Sequence, residues 1–121
     1  IEEGIVPGGG SMLMIASKKL NEGYTLKGSY VLAEALKSPL VTMMLNSGAN
    51  KINIKEILDK VLHVPGSGVN MLTEKYCENM IEENIVDSAK VVKTALRNAV
   101  SVAALFLTTK YAIVNSNYMT E

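Results

Sequence analysis

The sequence predicts a mainly helical fold, all-α apart from a short hairpin or loop and a terminal β-strand. Three observations carry that expectation. Apolar residues recur at helical spacing through most of the chain. Glycine- and proline-bearing clusters cut this pattern into pieces of ordinary helix length. With seven Met, one Phe and no Trp, the core must be aliphatic and methionine-rich.

The elements follow in order. Glu2-Glu3-Gly4-Ile5-Val6-Pro7-Gly8-Gly9-Gly10 cannot be ordinary helix, because Pro7 lacks a donor and three glycines lift the Cβ restriction on φ. From Gly10 to about Glu22, Met12, Leu13, Ile15, Ala16 and Leu20 form a helical stripe, and Gly23 is a natural stop. A second helix is expected from about Leu26 or Gly28 to Lys37, burying Val31, Leu32, Ala35 and Leu36. Pro39 breaks or kinks the pattern and pushes Ser38 out of the helical region. A third piece, Leu40 to Asn46, turns Leu40, Met43 and Met44 inward. Lys51 to Leu62 reads as an amphipathic helix with Ile54, Ile57, Leu58 and Val61 inside. His63 to Gly68 is a loop by composition, Val69-Asn70-Met71 a short extended piece, and Thr73 to Met80 another brief helix. Ile85-Val86 interrupts before the longest element, for which Asp87 is the expected N-cap. That helix carries Val91, Val92, Ala95, Leu96, Ala99, Val102, Ala103 and Phe106 on one wide face, and its small residues suit the middle of a helical layer. Tyr111-Ala112-Ile113-Val114 is β-like and needs a partner strand elsewhere.

At 121 residues the chain is one domain at most, large enough for a real core. Twelve acidic and twelve basic residues balance, so neither a nucleic-acid footprint nor a polybasic membrane anchor is implied. The apolar run from Ala99 to Leu107 is too short for a membrane span and sits inside an amphipathic pattern. The single cysteine, Cys77, excludes an internal disulfide and fits a reducing compartment. Ile1 is not an initiator methionine, so the chain is expected to be cut from something longer.

Read one by one, the candidate chemical groups are weak. The Gly8–Gly10 triplet before a helix offers bare backbone and free N–H groups to an anion or a sugar hydroxyl. Without a following Lys-Ser/Thr, a tight turn or a close helix contact is favoured. His63 has no ligand cluster around it and reads as a loop residue. Cys77 has no histidine at useful spacing and reads as a packed or exposed thiol. Glu2-Glu3 reads as a solvated pair, and the methionines as gap-filling core rather than a binding groove. Asp87 reads as a plain cap, with a ligand-facing oxygen as the alternative. No catalytic dyad or triad can be built, and no metal set stands out.

Taken together, the stretches resemble the group I chaperonins, the Hsp60 or Cpn60 type that is GroEL-like. The resemblance rests on Glu2 through Gly10, Gly28, Ala35-Leu36-Lys37-Ser38-Pro39-Leu40 and Leu45-Asn46-Ser47-Gly48. It is densest from Asp87 to Thr109, through Lys90-Val91, Ala95-Leu96-Arg97-Asn98-Ala99, Ser101-Val102-Ala103 and Leu107-Thr108-Thr109. In order and register these motifs span nearly the whole chain.

The resemblance implies the C-terminal half of an equatorial domain, the part of such proteins that binds ATP and makes ring contacts. It implies ATP or ADP with Mg²⁺ as cofactor, identical subunits in a heptameric-type ring, and unfolded proteins and a co-chaperonin as partners met through domains absent here. By the same resemblance Gly8, Gly9 and Gly10 lie against the nucleotide, with Gly9 near the ribose. Asn70 meets the adenine, and Ile85 and Asp87 frame the base and bond the ribose hydroxyls. Met71, with Leu72, stands where the family places two alanines, so it would line the base pocket. Ser67-Gly68-Val69 and Ser88 also depart from the family pattern. The phosphate and Mg²⁺ loop and the catalytic aspartates of the family fall outside this sequence. An organellar matrix, mitochondrial or plastid, is the expected setting, with bacterial cytoplasm the alternative. The rival from another class is a small helical protein-interaction module without nucleotide binding.

Overall fold

The computed structural model describes residues 2–109. The predicted terminal strand at 111–114 lies outside the described residues. The described residues fall into two units, the first ending at Ala89 and the second beginning at Lys90.

In the first unit the order is β1 (Ile5–Pro7), α1 (Ser11–Gly23), α2 (Lys27–Leu36), α3 (Ser38–Asn46), α4 (Lys51–His63), β2 (Gly68–Asn70), β3 (Lys75–Cys77) and β4 (Val86–Ser88). The mainly helical architecture is what the periodicity predicts; two short antiparallel pairings, β1 with β4 and β2 with β3, accompany the helices. The core gathers Met14 of α1, Leu40 and Met44 of α3, Ile54 and Val61 of α4, and Val69 of β2. Met14, Met44 and Met80 are fully buried, so methionine does fill the aliphatic interior.

Local chemistry sets the helix ends. Gly10 caps α1 at φ 81°, a left-handed position that glycine occupies without a Cβ clash. Asn50 caps α4, its side-chain oxygen accepting from the Asn53 N–H at 2.9 Å. Lys60 sits in the last turn of α4, where positive charge suits the helix dipole. Pro39 falls in the first turn of α3, where its missing N–H costs nothing, so Ser38 is helical and the interruption is Lys37 alone. The α2 stripe is rotated from the predicted one. Ala33 and Leu36 are buried while Val31 and Ala35 are exposed, because α1 approaches over Ala33, whose carbonyl accepts from the Ser17 hydroxyl at 2.7 Å.

Three sequence expectations fail around the strands. Thr73 to Met80 is not a helix. Asn70 Oδ1 accepts from the N–H groups of Leu72 and Thr73, folding a tight turn, and Glu74 at φ 58° reverses the chain. Lys75–Cys77 then pairs antiparallel with Gly68–Asn70, Val69 facing Tyr76. Asp87 is not an N-cap: it stands in β4 opposite Val6, and the next helix begins only at Ala89, whose N–H donates to Gly4 O at 3.0 Å. The pairing of β1 with β4 has no counterpart in the sequence reading at all. His63, read as a loop residue, closes α4, its Nδ1 donating to Asp59 O at 2.6 Å.

The long helix α5 (Ala89–Thr108) starts at the end of the first unit and forms the described body of the second. Lys90, Lys93, Arg97 and Ser101 fall on one stripe and the aliphatic residues opposite. On the apolar face Val91, Val102 and Phe106 are exposed. By length and composition α5 could cross a membrane, with mean hydropathy 1.3 over 18 residues. The sequence reading counted only the uninterrupted apolar run and missed this length. The charged stripe makes the helix two-faced, the pattern of a helix that covers a core.

Candidate functional site

The candidate residues come from three separate stretches, and backbone hydrogen bonds tie those stretches together. Gly66 O accepts from Met80 N–H at 3.0 Å, Met80 O from Ile85 N–H at 2.9 Å, and Ile85 O from Gly8 N–H at 2.9 Å. This relay runs from the foot of the β2–β3 hairpin, through Met80, to Ile85 and the glycine turn. The short β1–β4 ribbon extends it, with Pro7 opposite Val86 and Val6 opposite Asp87.

The glycine turn is pressed against this relay. A Cβ on Gly8 would stand 3.1 Å from the carbonyl carbon and oxygen of Ile85 and from the carbonyl carbon of Val86. A Cβ on Gly9 would stand 3.0 Å from Met80 Cε, and one on Gly10 would stand 3.3 Å from Leu40 N. Close packing alone therefore requires small residues here, as the structural reading of the triplet anticipates. What a ligand could use is the backbone. The N–H groups of Gly9 and Gly10 find no backbone acceptor among the described residues, and the positive end of the α1 dipole adds to their donor strength.

Around the turn, Ile85 is half-buried, its Cγ2 3.9 Å from where a Gly9 Cβ would be. Asp87, two residues on, shares a side of the extended ribbon with Ile85, and its carboxylate is exposed. Val69 O lies 3.7 Å from the Gly9 Cβ position, which brings the Asn70 strand alongside. Because Asn70 Oδ1 is taken by the Leu72 and Thr73 N–H groups, only its NH₂ can address a ligand, as a donor. Met71 is half-buried against the core, whereas Leu72 is 97% exposed at the hairpin tip. The glycine turn and Ile85 are thus neighbours, with Asn70 one residue along the strand from Val69, Asp87 on the adjoining ribbon and Met71 half-buried against the core.

Sequence reasoning missed three residues that hold this corner. The Ser11 hydroxyl, fully buried, donates to Ser67 O, tying the first residue of α1 to the residue before β2. Ser67 in turn donates its hydroxyl to Val64 O at 2.6 Å. Met80, also fully buried, packs between Gly9 and Gly68. The only sequence signal for Met80 is indirect, a glycine at each of the two places its side chain fills. Elsewhere, no group of three His, Cys, Asp or Glu side chains among the described residues is placed to hold a metal ion. Cys77 is a buried free thiol in β3, consistent with a packing role.

The sequence model of the TCP-1/cpn60 chaperonin family matches residues 1–117. That span takes in the glycine turn, the relay, the hairpin and the whole of α5. A match over nearly the full length of this mainly helical chain makes it a member of the TCP-1/cpn60 chaperonin family.

Proposed function

We propose that the chain is the C-terminal half of the equatorial domain of a group I, Hsp60-type chaperonin, supplying the base and ribose side of an ATP site and part of the ring contacts. The observation that supports this reading is the backbone hydrogen-bond relay from Gly66 through Met80 and Ile85 to Gly8, with the β1–β4 ribbon that carries Asp87 and with Val69, the residue before Asn70, close to Gly9. Ile85 offers an apolar face to a purine, and the Asn70 NH₂ donates to an acceptor on its edge. Gly9 lets the backbone approach the ribose, and Asp87 accepts from its vicinal hydroxyls. The donor set fits a nucleoside and lacks what phosphates and Mg²⁺ need. By the family resemblance, phosphate binding, Mg²⁺ and hydrolysis belong to the rest of the subunit. There, ATP turnover drives assisted folding of non-native proteins by a ring of identical subunits with a co-chaperonin, in an organellar matrix.

Three or four nucleoside contacts alone support at most millimolar affinity, about −4 kcal/mol. Calorimetric titration of ATP into the 121-residue chain is therefore expected to show no saturable binding at micromolar concentrations and no turnover. Micromolar binding, or hydrolysis that survives repurification, would contradict the reading. The rival, a helical interaction module, is favoured by one observation, the exposed large apolar residues of α5, Val91, Val102 and Phe106. It predicts that the intact protein does not bind adenine nucleotides either.

A further inference from the structure

We infer that Met80 is a positioning residue, a spacer whose side chain sets the gap between the glycine turn and the Asn70 strand, and with it the discrimination for the nucleoside part of the ligand. The inference rests on the nucleotide reading above, but its evidence is separate. Met80 touches neither Asn70 nor Asp87 in the contacts described; its side chain lies between two glycines. A Cβ on Gly68 would stand 3.0 Å from its Sδ, 3.1 Å from its Cε and 3.2 Å from its Cγ, and a Cβ on Gly9 would stand 3.0 Å from the same Cε. Gly9 begins the face that would meet the ribose, and Gly68 begins the strand that ends at Asn70. One fully buried side chain thus fills the space between the two walls.

A spacer acts only if something pulls the walls together, and the structure has that tie. The Ser11 hydroxyl donates to Ser67 O, joining the residue after the glycine turn to the residue before Gly68. The Met80 backbone is anchored at both ends, its N–H to Gly66 O and its carbonyl to Ile85 N–H. The side chain therefore cannot slide away when the walls close on it. Pulled by Ser11 and held apart by Met80, the turn and the strand keep one separation, and close-packed interiors pass small displacements on rather than absorbing them. Gly68 has an ordinary φ, so adding a methyl there changes the space and not the backbone strain.

The test uses the intact subunit and two probes: ADP, and tripolyphosphate, which has neither base nor ribose. Gly68→Ala drives Met80 against Gly9, and ADP affinity is expected to fall about tenfold, the loss of one well-aligned polar contact, with tripolyphosphate affinity unchanged. Gly68→Ala with Met80→Val removes Sδ and Cε, conserves the number of side-chain heavy atoms, and is expected to restore most of the ADP affinity. Should Gly68→Ala fail to fold, Met80→Leu keeps the volume but loses the reach to Gly9, and is expected to lower ADP affinity about fivefold, again sparing tripolyphosphate. A purely structural Met80 would lower the melting temperature and leave the ADP-to-tripolyphosphate ratio of the folded protein as it was. That result overturns the inference while leaving the nucleotide site standing. Parent protein that binds no ADP overturns both.

Discussion

Adding one methyl at Gly8 tests the docking of the glycine turn directly. Gly8 is buried, and its Cβ would sit 3.1 Å from three backbone atoms of Ile85 and Val86, none of which can swing aside as a side-chain end would. Its φ is not left-handed, so the cost is one of space alone; Gly10, at φ +81°, would mix space with strain. Relieving the overlap means overpacking or moving the ribbon, about 1–3 kcal/mol. Separating the walls also weakens the Gly8 N–H to Ile85 O bond, about 0.5–1.5 kcal/mol. Gly8→Ala is therefore expected to destabilise by about 1.5–4.5 kcal/mol. The control is Gly28→Ala in α2, where nothing lies within 4 Å of the new Cβ and φ is ordinary. It is expected to stabilise by about 0.4–1 kcal/mol through the unfolded state. Urea unfolding of the 121-residue chain, followed by circular dichroism at dilute concentration, measures both on a common slope. Equal midpoints for Gly8→Ala and the parent would refute the close approach.

Two further outcomes follow from the same geometry. Asn50→Ala removes the cap of α4 and is expected to cost about 1 kcal/mol, read as a lower urea midpoint; an unchanged midpoint would mean that the Asn53 N–H finds water equally well. The exposed apolar face of α5 is expected to drive association of the 121-residue chain, and Val102→Lys with Phe106→Glu is expected to yield monomer by light scattering; a parent chain already monomeric at high concentration would count against it.

The helices were legible because their information is local. Leu40, Met44, Ile54 and Val61 are buried at positions their spacing predicts, whereas α1 turns Ser11, Met14 and Ser17 inward instead of the expected stripe of Met12, Leu13, Ile15, Ala16 and Leu20. The strands were not legible, because each is three residues long and exists through a distant partner. Ile5–Pro7 has no strand signal until Val86–Ser88 lies beside it, more than seventy residues on. Thr73 to Met80 has a helix-compatible pattern that the Asn70 turn and the pairing of Val69 with Tyr76 override. The same non-local pairing turns Asp87 from an expected helix cap into a strand residue with an exposed carboxylate. For the candidate site, the resemblance named Gly8–Gly10, Asn70 and Ile85; the fold packs the glycine turn against Ile85 and brings Val69, the residue before Asn70, close to Gly9. The Ser11 tie and the Met80 spacer carry no periodicity or motif, so only the packed structure makes them visible.

The central claim is that Asp87 and its neighbours hold the nucleoside part of ATP, and one comparison tests it most directly. ADP is titrated calorimetrically into the intact protein, parent and Asp87→Ala. Asp87 is exposed and accepts no recorded hydrogen bond among the described residues, so folding should not depend on its carboxylate. Losing a charged acceptor for two ribose hydroxyls is expected to weaken ADP by roughly 10- to 100-fold, with the melting temperature without nucleotide unchanged. Equal ADP affinity in the two proteins would contradict the account.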